Sequence, residues 1–184
     1  MMTKIYRPFT DKRGIYEYSS VQINLPEVIA DEVILWGQKK IKDRDLFTPP
    51  EDFIHGREEE PHVTVLYGIH CQLPIEIIKL IVNKPSFDIK LNNISIFTNN
   101  TAFDVVKIDV ESPNLNYYNN LLKNNIDSTQ CFNNYQPHVT VAYIKKGKCF
   151  DLCGNTEFKD IKWKVNSLIF SSKNGEKTPI RLKS

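Results

Sequence analysis

Between Ile15 and Leu25, Tyr16, Tyr18 and Ser20 alternate with Glu17, Ser19 and Val21. Alternation of period two predicts a first strand. Pro26 and Glu27 then read as a helix start, and Ile29, Val33 and Trp36 recur at helical spacing, which predicts a helix to about Ile41. Asp43 to Glu60 is polar, holds Pro49, Pro50 and Gly56, and reads as a long loop. Strand-like runs follow at Pro61 to Ile69, Phe87 to Phe97, Phe103 to Val110, Pro137 to Ile144, Trp163 to Ser171 and Pro179 to Leu182. A short helix fits Pro74 to Val82. Another starts at Ser112 and Pro113, a cap followed by proline, and carries Leu115, Tyr118, Leu121 and Leu122. Helices between mostly adjacent strands predict an α+β fold with largely antiparallel sheets.

One pattern repeats. Pro61-His62-Val63-Thr64-Val65-Leu66-Tyr67 returns as Pro137-His138-Val139-Thr140-Val141-Ala142-Tyr143, identical at six of seven positions. The period is too long for a solenoid. It predicts two similar halves related by a pseudo-two-fold axis. Side chains alternate along a strand, so His and Thr of each copy share a face, about 7 Å apart. The valines and Tyr67 or Tyr143 are expected on the other face, packed in a core.

Two imidazoles and two hydroxyls lining one cleft suit phosphoryl transfer. Imidazole titrates near neutrality, so one histidine can take a proton from the attacking oxygen while the other gives one to the leaving oxygen. The hydroxyls can donate to the non-bridging phosphate oxygens. The candidate catalytic residues are therefore His62 and His138, and the candidate phosphate-binding residues Thr64 and Thr140. Tyr16 and Tyr18 share one strand face and are candidates for stacking on a nucleobase, with sheet packing as their bland alternative. Lys145, Lys146 and Lys173 lie just beyond strands, where they could meet phosphates.

At these residues the sequence resembles the 2H phosphoesterase superfamily, whose signature is two motifs of histidine, an apolar residue, threonine or serine, and an apolar residue. His62-Val63-Thr64-Val65 and His138-Val139-Thr140-Val141 both match in full. The run Tyr18 to Pro26, then Gly56-Arg57-Glu58 and Glu60 to Gly68, is similar to bacterial and phage proteins described as 2′-5′ RNA ligase-like. The resemblance implies a bilobal fold, with the motifs on central strands around a cleft. It also implies a metal-independent phosphodiesterase without a cofactor. Superfamily members act on 2′,3′-cyclic phosphates, ADP-ribose cyclic phosphates, 2′-5′ linked oligoadenylates and RNA ends. Phage members destroy the cyclic oligonucleotide signals of bacterial anti-phage defence (CBASS). The expected substrate is thus a small nucleotide: a cyclic oligonucleotide signal or a short 2′-5′ or 3′-5′ oligonucleotide. RNA-end processing and a non-catalytic nucleotide-binding module are the alternatives. The acidic loop Asp43 to Glu60 departs from the smaller members.

Composition narrows these classes. The chain has 184 residues, 41% of them hydrophobic, enough for one domain of two lobes with a sizeable core. Its net charge is only +2, too small for coating long nucleic acid, although Asp43 to Glu60 is acidic and Lys159 onward is basic. No apolar stretch reaches the roughly 20 residues of a membrane span, and Met1 to Ile15 lacks the apolar centre of a secretory signal, so a cytoplasmic protein is expected. Cys71, Cys131, Cys149 and Cys153 are then expected as reduced thiols. Cys71 beside His70 offers a thiol nucleophile, but neighbouring strand residues point to opposite faces. His55, His62, His70 and His138 lack the spacing of a helical metal pair, so no metal site is expected. Neither a glycine-rich phosphate loop nor a serine nucleophile elbow is present.

Overall fold

The computed structural model describes residues 16–50, 55–129 and 134–184. Met1 to Ile15, Glu51, Asp52 and Cys131 lie outside the described residues. In chain order the elements are β1 (Ser19–Asn24), α1 (Glu27–Lys40), β2 (His62–Ile69), α2 (Ile75–Ile81), β3 (Phe87–Phe97), β4 (Phe103–Glu111), α3 (Pro113–Asn125), β5 (His138–Lys145), β6 (Lys162–Val165), β7 (Ser167–Ser171) and β8 (Lys177–Arg181). The Ser112 hydroxyl caps α3 by accepting from the Asn114 amide, as the Ser-Pro pair predicts.

The strands form one α+β sheet in the order β6-β3-β4-β5-β2-β1-β7-β8, with every neighbouring pair antiparallel. The two motif strands, β5 and β2, are adjacent at its centre, so the halves of the repeat are the halves of the sheet. The run Trp163 to Ser171, expected as one strand, is two. Only Asn166 separates β6, at one edge, from β7, next to the other edge. A single residue spans only about 3.5 Å. The sheet therefore curls until its ends meet, and Ser86 at the start of β3 donates to the Lys183 carbonyl just past β8.

The helices are exchanged between halves. α1 follows β1 but packs on β5, and α3 follows β4 but packs on β2. Both lie on the valine face, where Val63, Val65, Val139 and Val141 are buried together with Val33 and Trp36 of α1 and Leu115, Tyr118 and Leu122 of α3. Among the described residues no helix of this kind packs on the histidine face. Apolar patterning explains the division, since each helix has one stripe to bury.

Each motif strand carries a β-bulge at the same place. Val21 opposes Leu66 and Gln22 opposes Thr64, which leaves Val65 unpaired. Val106 opposes Ala142 and Lys107 opposes Thr140, which leaves Val141 unpaired. A bulge frees backbone groups that need other partners. The Val65 carbonyl accepts from the buried Asn119 side chain of α3 at 2.7 Å, and the Val141 carbonyl accepts from the Glu58 amide at 2.9 Å. On the β5 side α1 approaches so closely that a Cβ on Gly37 would lie 3.0 Å from Val141 Cγ1.

These contacts make the bulges testable. Asn119→Ala leaves the buried Val65 carbonyl without its donor and is expected to cost about 1–3 kcal/mol. Gly37→Val presses on Val141 and is expected to cost a similar amount, about 1–3 kcal/mol. Urea denaturation measures both, and unchanged midpoints would show that the helices do not support the bulges.

Candidate active site

His62 and Thr64 stand on β2, and His138 and Thr140 on β5. The two strands pair at one position, Val63 with Val139. Antiparallel pairing there sets His62 on the side of Thr140, and Thr64 on the side of His138. At that crossing the four side chains mark the corners of a patch roughly 5 Å by 7 Å. The structure thus brings together all four residues singled out by the repeat.

Both imidazoles are held in the same way. His62 Nδ1 lies 2.8 Å from the Glu60 carbonyl, and His138 Nδ1 lies 2.7 Å from the Gln136 carbonyl. A carbonyl only accepts, so each Nδ1 carries the hydrogen and donates it. In each ring Nε2 is the nitrogen left to gain or lose a proton. The prolines at 61 and 137 sit between each histidine and its carbonyl and stiffen this local turn. The Tyr135 hydroxyl, just before the second motif, donates to the Thr64 carbonyl in the first at 3.0 Å. Burial pushes the Tyr135 phenol far above its ordinary range, so it stays a donor.

The flanking strands are alike in backbone and different in charge. Gln22 and Asn24 of β1 oppose Thr64 and His62. Lys107 and Asp109 of β4 oppose Thr140 and His138. Gln22 Nε2 donates to Asn24 Oδ1 at 2.9 Å, and Lys107 Nζ donates to Asp109 Oδ1 in the corresponding place. Lys107 also donates to Ser95 Oγ at 2.7 Å and lies 4.3 Å from the centre of the Phe97 ring. That ring meets His138 edge to face, with centroids 4.9 Å apart. The His138 imidazolium is disfavoured, above all by burial, then by the charges of Lys107 and His62, and its pKa falls below the ordinary histidine value. The Gln136 carbonyl and Asp109 oppose this fall.

Tyr67 and Tyr143 do not point with the valines. Tyr67 opposes Ser20 while Thr64 opposes Gln22, and Ser20 and Gln22 share a face. Tyr143 opposes Val105 while Thr140 opposes Lys107. The bulges at Val65 and Val141 reverse the parity, so both tyrosines flank the site on the histidine face. Each anchors an aromatic group. Tyr67 meets Tyr18 edge to face, and Tyr18 stacks on His70 with centroids 5.8 Å apart. Tyr143 meets His55 at 4.8 Å and Phe103 at 5.4 Å, and Phe47 joins them.

The remaining candidates do not join the four motif side chains directly. Tyr16 and Tyr18 precede β1 rather than lying on it, and the Tyr16 amide donates to the Lys173 carbonyl. Lys173 Nζ sits 6.0 Å from the Tyr18 ring. Lys145 donates to the Arg44 carbonyl, while Lys146 pairs with the buried Asp104 and ties the turn between β3 and β4. Those two amines serve loop structure. His70 holds Asp127 and Thr129 through its two nitrogens, and burial raises the Cys71 thiol, both unfavourable to a thiolate nucleophile. Cys71, Cys149 and Cys153 are free. Among the described residues no three His, Cys, Asp or Glu side chains are placed to hold a metal ion, and no helix is long and apolar enough to cross a membrane.

Lys107, Asp109 and Tyr135 are the residues that motif reading missed. Lys107 and Asp109 did leave a signal, since they alternate inside the apolar run Phe103 to Val110. Tyr135 left none.

No family model and no curated protein matches the sequence. Solved structures do match the fold. TT0787 of Thermus thermophilus is 14% identical and superposes with a TM-score of 0.66 over 91% of this chain and 100% of its own. E. coli LigT in its apo form is 17% identical, with a TM-score of 0.61 over 91% and 98%. Kluyveromyces marxianus Usb1 with uridine monophosphate is 10% identical, with a TM-score of 0.55 over 90% and 98%. With a curled antiparallel sheet, paired central motif strands and helices exchanged between its halves, the chain has the 2H phosphoesterase fold.

Proposed function

We propose that the protein is a phosphodiesterase that cleaves small nucleotide phosphodiesters by proton transfer between His62 and His138. The observation that carries this reading is the matched tethering of both Nδ1 atoms, which leaves two Nε2 atoms across one patch with two threonine hydroxyls between them. Fold likeness adds to it. Structures of E. coli LigT hold phosphate, 3'-AMP, ATP and NADP+, and that of K. marxianus Usb1 holds uridine monophosphate. The substrate class we favour is a cyclic oligonucleotide or a short 2′-5′ or 3′-5′ linked ribonucleotide. The aromatic groups around Tyr67 and Tyr143 lie on either side of the motif pair, where bases flanking one phosphate could stack. Processing of RNA ends uses the same chemistry, and a substrate panel separates the two.

In the first step His138 Nε2 takes the proton of the ribose hydroxyl beside the phosphate. That oxygen attacks phosphorus, and the bond to the leaving 5′-oxygen breaks as His62 Nε2 gives it a proton. Thr64 and Thr140 donate to the non-bridging oxygens. The products are a 2′,3′-cyclic phosphate and a free 5′-hydroxyl. Water can then open the ring with the histidine roles reversed, which returns both protons. An attacking hydroxyl held next to its target reaches effective molarities of about 10⁵–10⁸ M.

His62→Ala and His138→Ala are each expected to lower kcat by about 10²–10⁴-fold, the usual range for a positioned acid or base. The double variant should be little worse, because both act in one step. Thr64→Ala and Thr140→Ala should be milder. A folded histidine variant with near-normal turnover on a panel of cyclic and linear oligonucleotides would sink the mechanism.

The pH profile of kcat/KM should be bell-shaped. Protonation of His138 removes the base, so rate falls as pH drops. Because burial lowers the His138 pKa, the acidic limb should lie below the ordinary histidine range. An acidic limb above that range would contradict His138 as base.

A substrate lacking the neighbouring hydroxyl should bind but resist cleavage. Excess chelator should leave activity intact. Equal rates on the deoxy analogue would mean that water attacks directly.

A further inference from the structure

The two motifs are equivalent in three backbone respects. They share the Nδ1 tether, the bulge after threonine and the register to the flanking strand. A reaction needing one acid and one base must break this equivalence. The pair that flanks each histidine is where the halves differ: Gln22 and Asn24 beside His62, Lys107 and Asp109 beside His138. Lys107 is only 5% exposed, although an ammonium is costly to bury. It is built in, with Asp109 and Ser95 accepting from it and the Phe97 ring covering it. The same ring edge lies against His138.

We propose that Lys107 is a positioning residue whose buried charge, held by Asp109, Ser95 and Phe97, makes His138 the proton acceptor of the pair. The inference rests on the two-histidine reading above and adds what sets the direction of proton flow. The groups that act on His138 are Lys107 and Asp109 on β4, His62 on β2 and the Gln136 carbonyl before β5; Ser95 and Phe97 on β3 bring no charge. Lys107 repels a proton on His138, and Asp109 attracts one. Asp109 is spent on Lys107, so the repulsion prevails. Without Lys107 the carboxylate is released toward His138, and both changes favour the imidazolium.

The test is an NMR titration of the His138 ring in the full-length protein, alongside kcat/KM against pH with a 2′-5′ linked adenylate dinucleotide. Lys107→Gln should raise the His138 midpoint by about one unit, the scale of a close charge change. The acidic limb of kcat/KM should follow it upward. Lys107→Arg should restore both. Asp109→Asn, which keeps the cation and removes the anion, should move the midpoint down, and it tests the idea even where Lys107→Gln fails to fold. A His138 midpoint unmoved in a folded Lys107→Gln, or moved upward by Asp109→Asn, overturns the proposal. Ring titrations need no turnover. Failure of the dinucleotide and every other phosphodiester to be cleaved therefore counts against the catalytic reading, separately from the role of Lys107.

Discussion

Two strands that stay in register for one residue pair expose most of their facing backbone, and that backbone must find partners elsewhere. β2 and β5 meet at Val63 and Val139 and then part. Beyond the crossing, the stretch after α1 lines β5, with Leu46 bridged to Ile144 and Arg57 to Ala142. The stretch after α3 lines β2, with Ser128 bridged to Ile69 and the Thr129 amide bonded to the Gly68 carbonyl. Each half of the molecule thus completes the backbone of the other. The exchanged helices obey the same need, since one supplies Asn119 to a bulge carbonyl and the other approaches through Gly37. The described parts of the acidic segment, 43–50 and 55–60, share this duty: Arg57 pairs with Asp43 at 2.6 Å and joins them beside β5.

That crossing also creates the site. Strands that parted elsewhere would separate the histidines, and strands that stayed paired would leave no gap between them. The bulges turn Tyr67 and Tyr143 toward it. Tyr135 ties the approach to β5 onto β2 with a hydrogen bond to the Thr64 carbonyl. Few contacts join the motif strands directly, so this clamp and the two lining segments set the spacing of the imidazoles.

Local and distant interactions divide the work on the histidines. The tautomer is local: a carbonyl two residues back accepts a hydrogen bond from Nδ1–H in both copies. The difference between the copies is not local. It comes from β4 and β3, through a lysine, a carboxylate, a serine and a phenyl ring that the motif does not contain. Symmetry of geometry and asymmetry of charge are thereby written in different parts of the chain.

The sequence alone determined most of the elements, the two-fold repeat, the α+β class and the choice of His62, Thr64, His138 and Thr140 as candidates. Period-two alternation and a long identical repeat are properties of neighbouring residues, so they can be read without knowing the fold. Tertiary structure decided the rest. It divided Trp163 to Ser171 at Asn166, because a curled sheet brings its two edges together there. It turned the tyrosines to the histidine face, because a bulge inserts one residue and reverses parity, and nothing in the local pattern marks it. It drew Lys145 and Lys146 into loop contacts, and it placed Lys107 beside His138. Strand register governs that last placement, and register depends on which segments pair, a choice made by the whole chain burying its apolar faces at once.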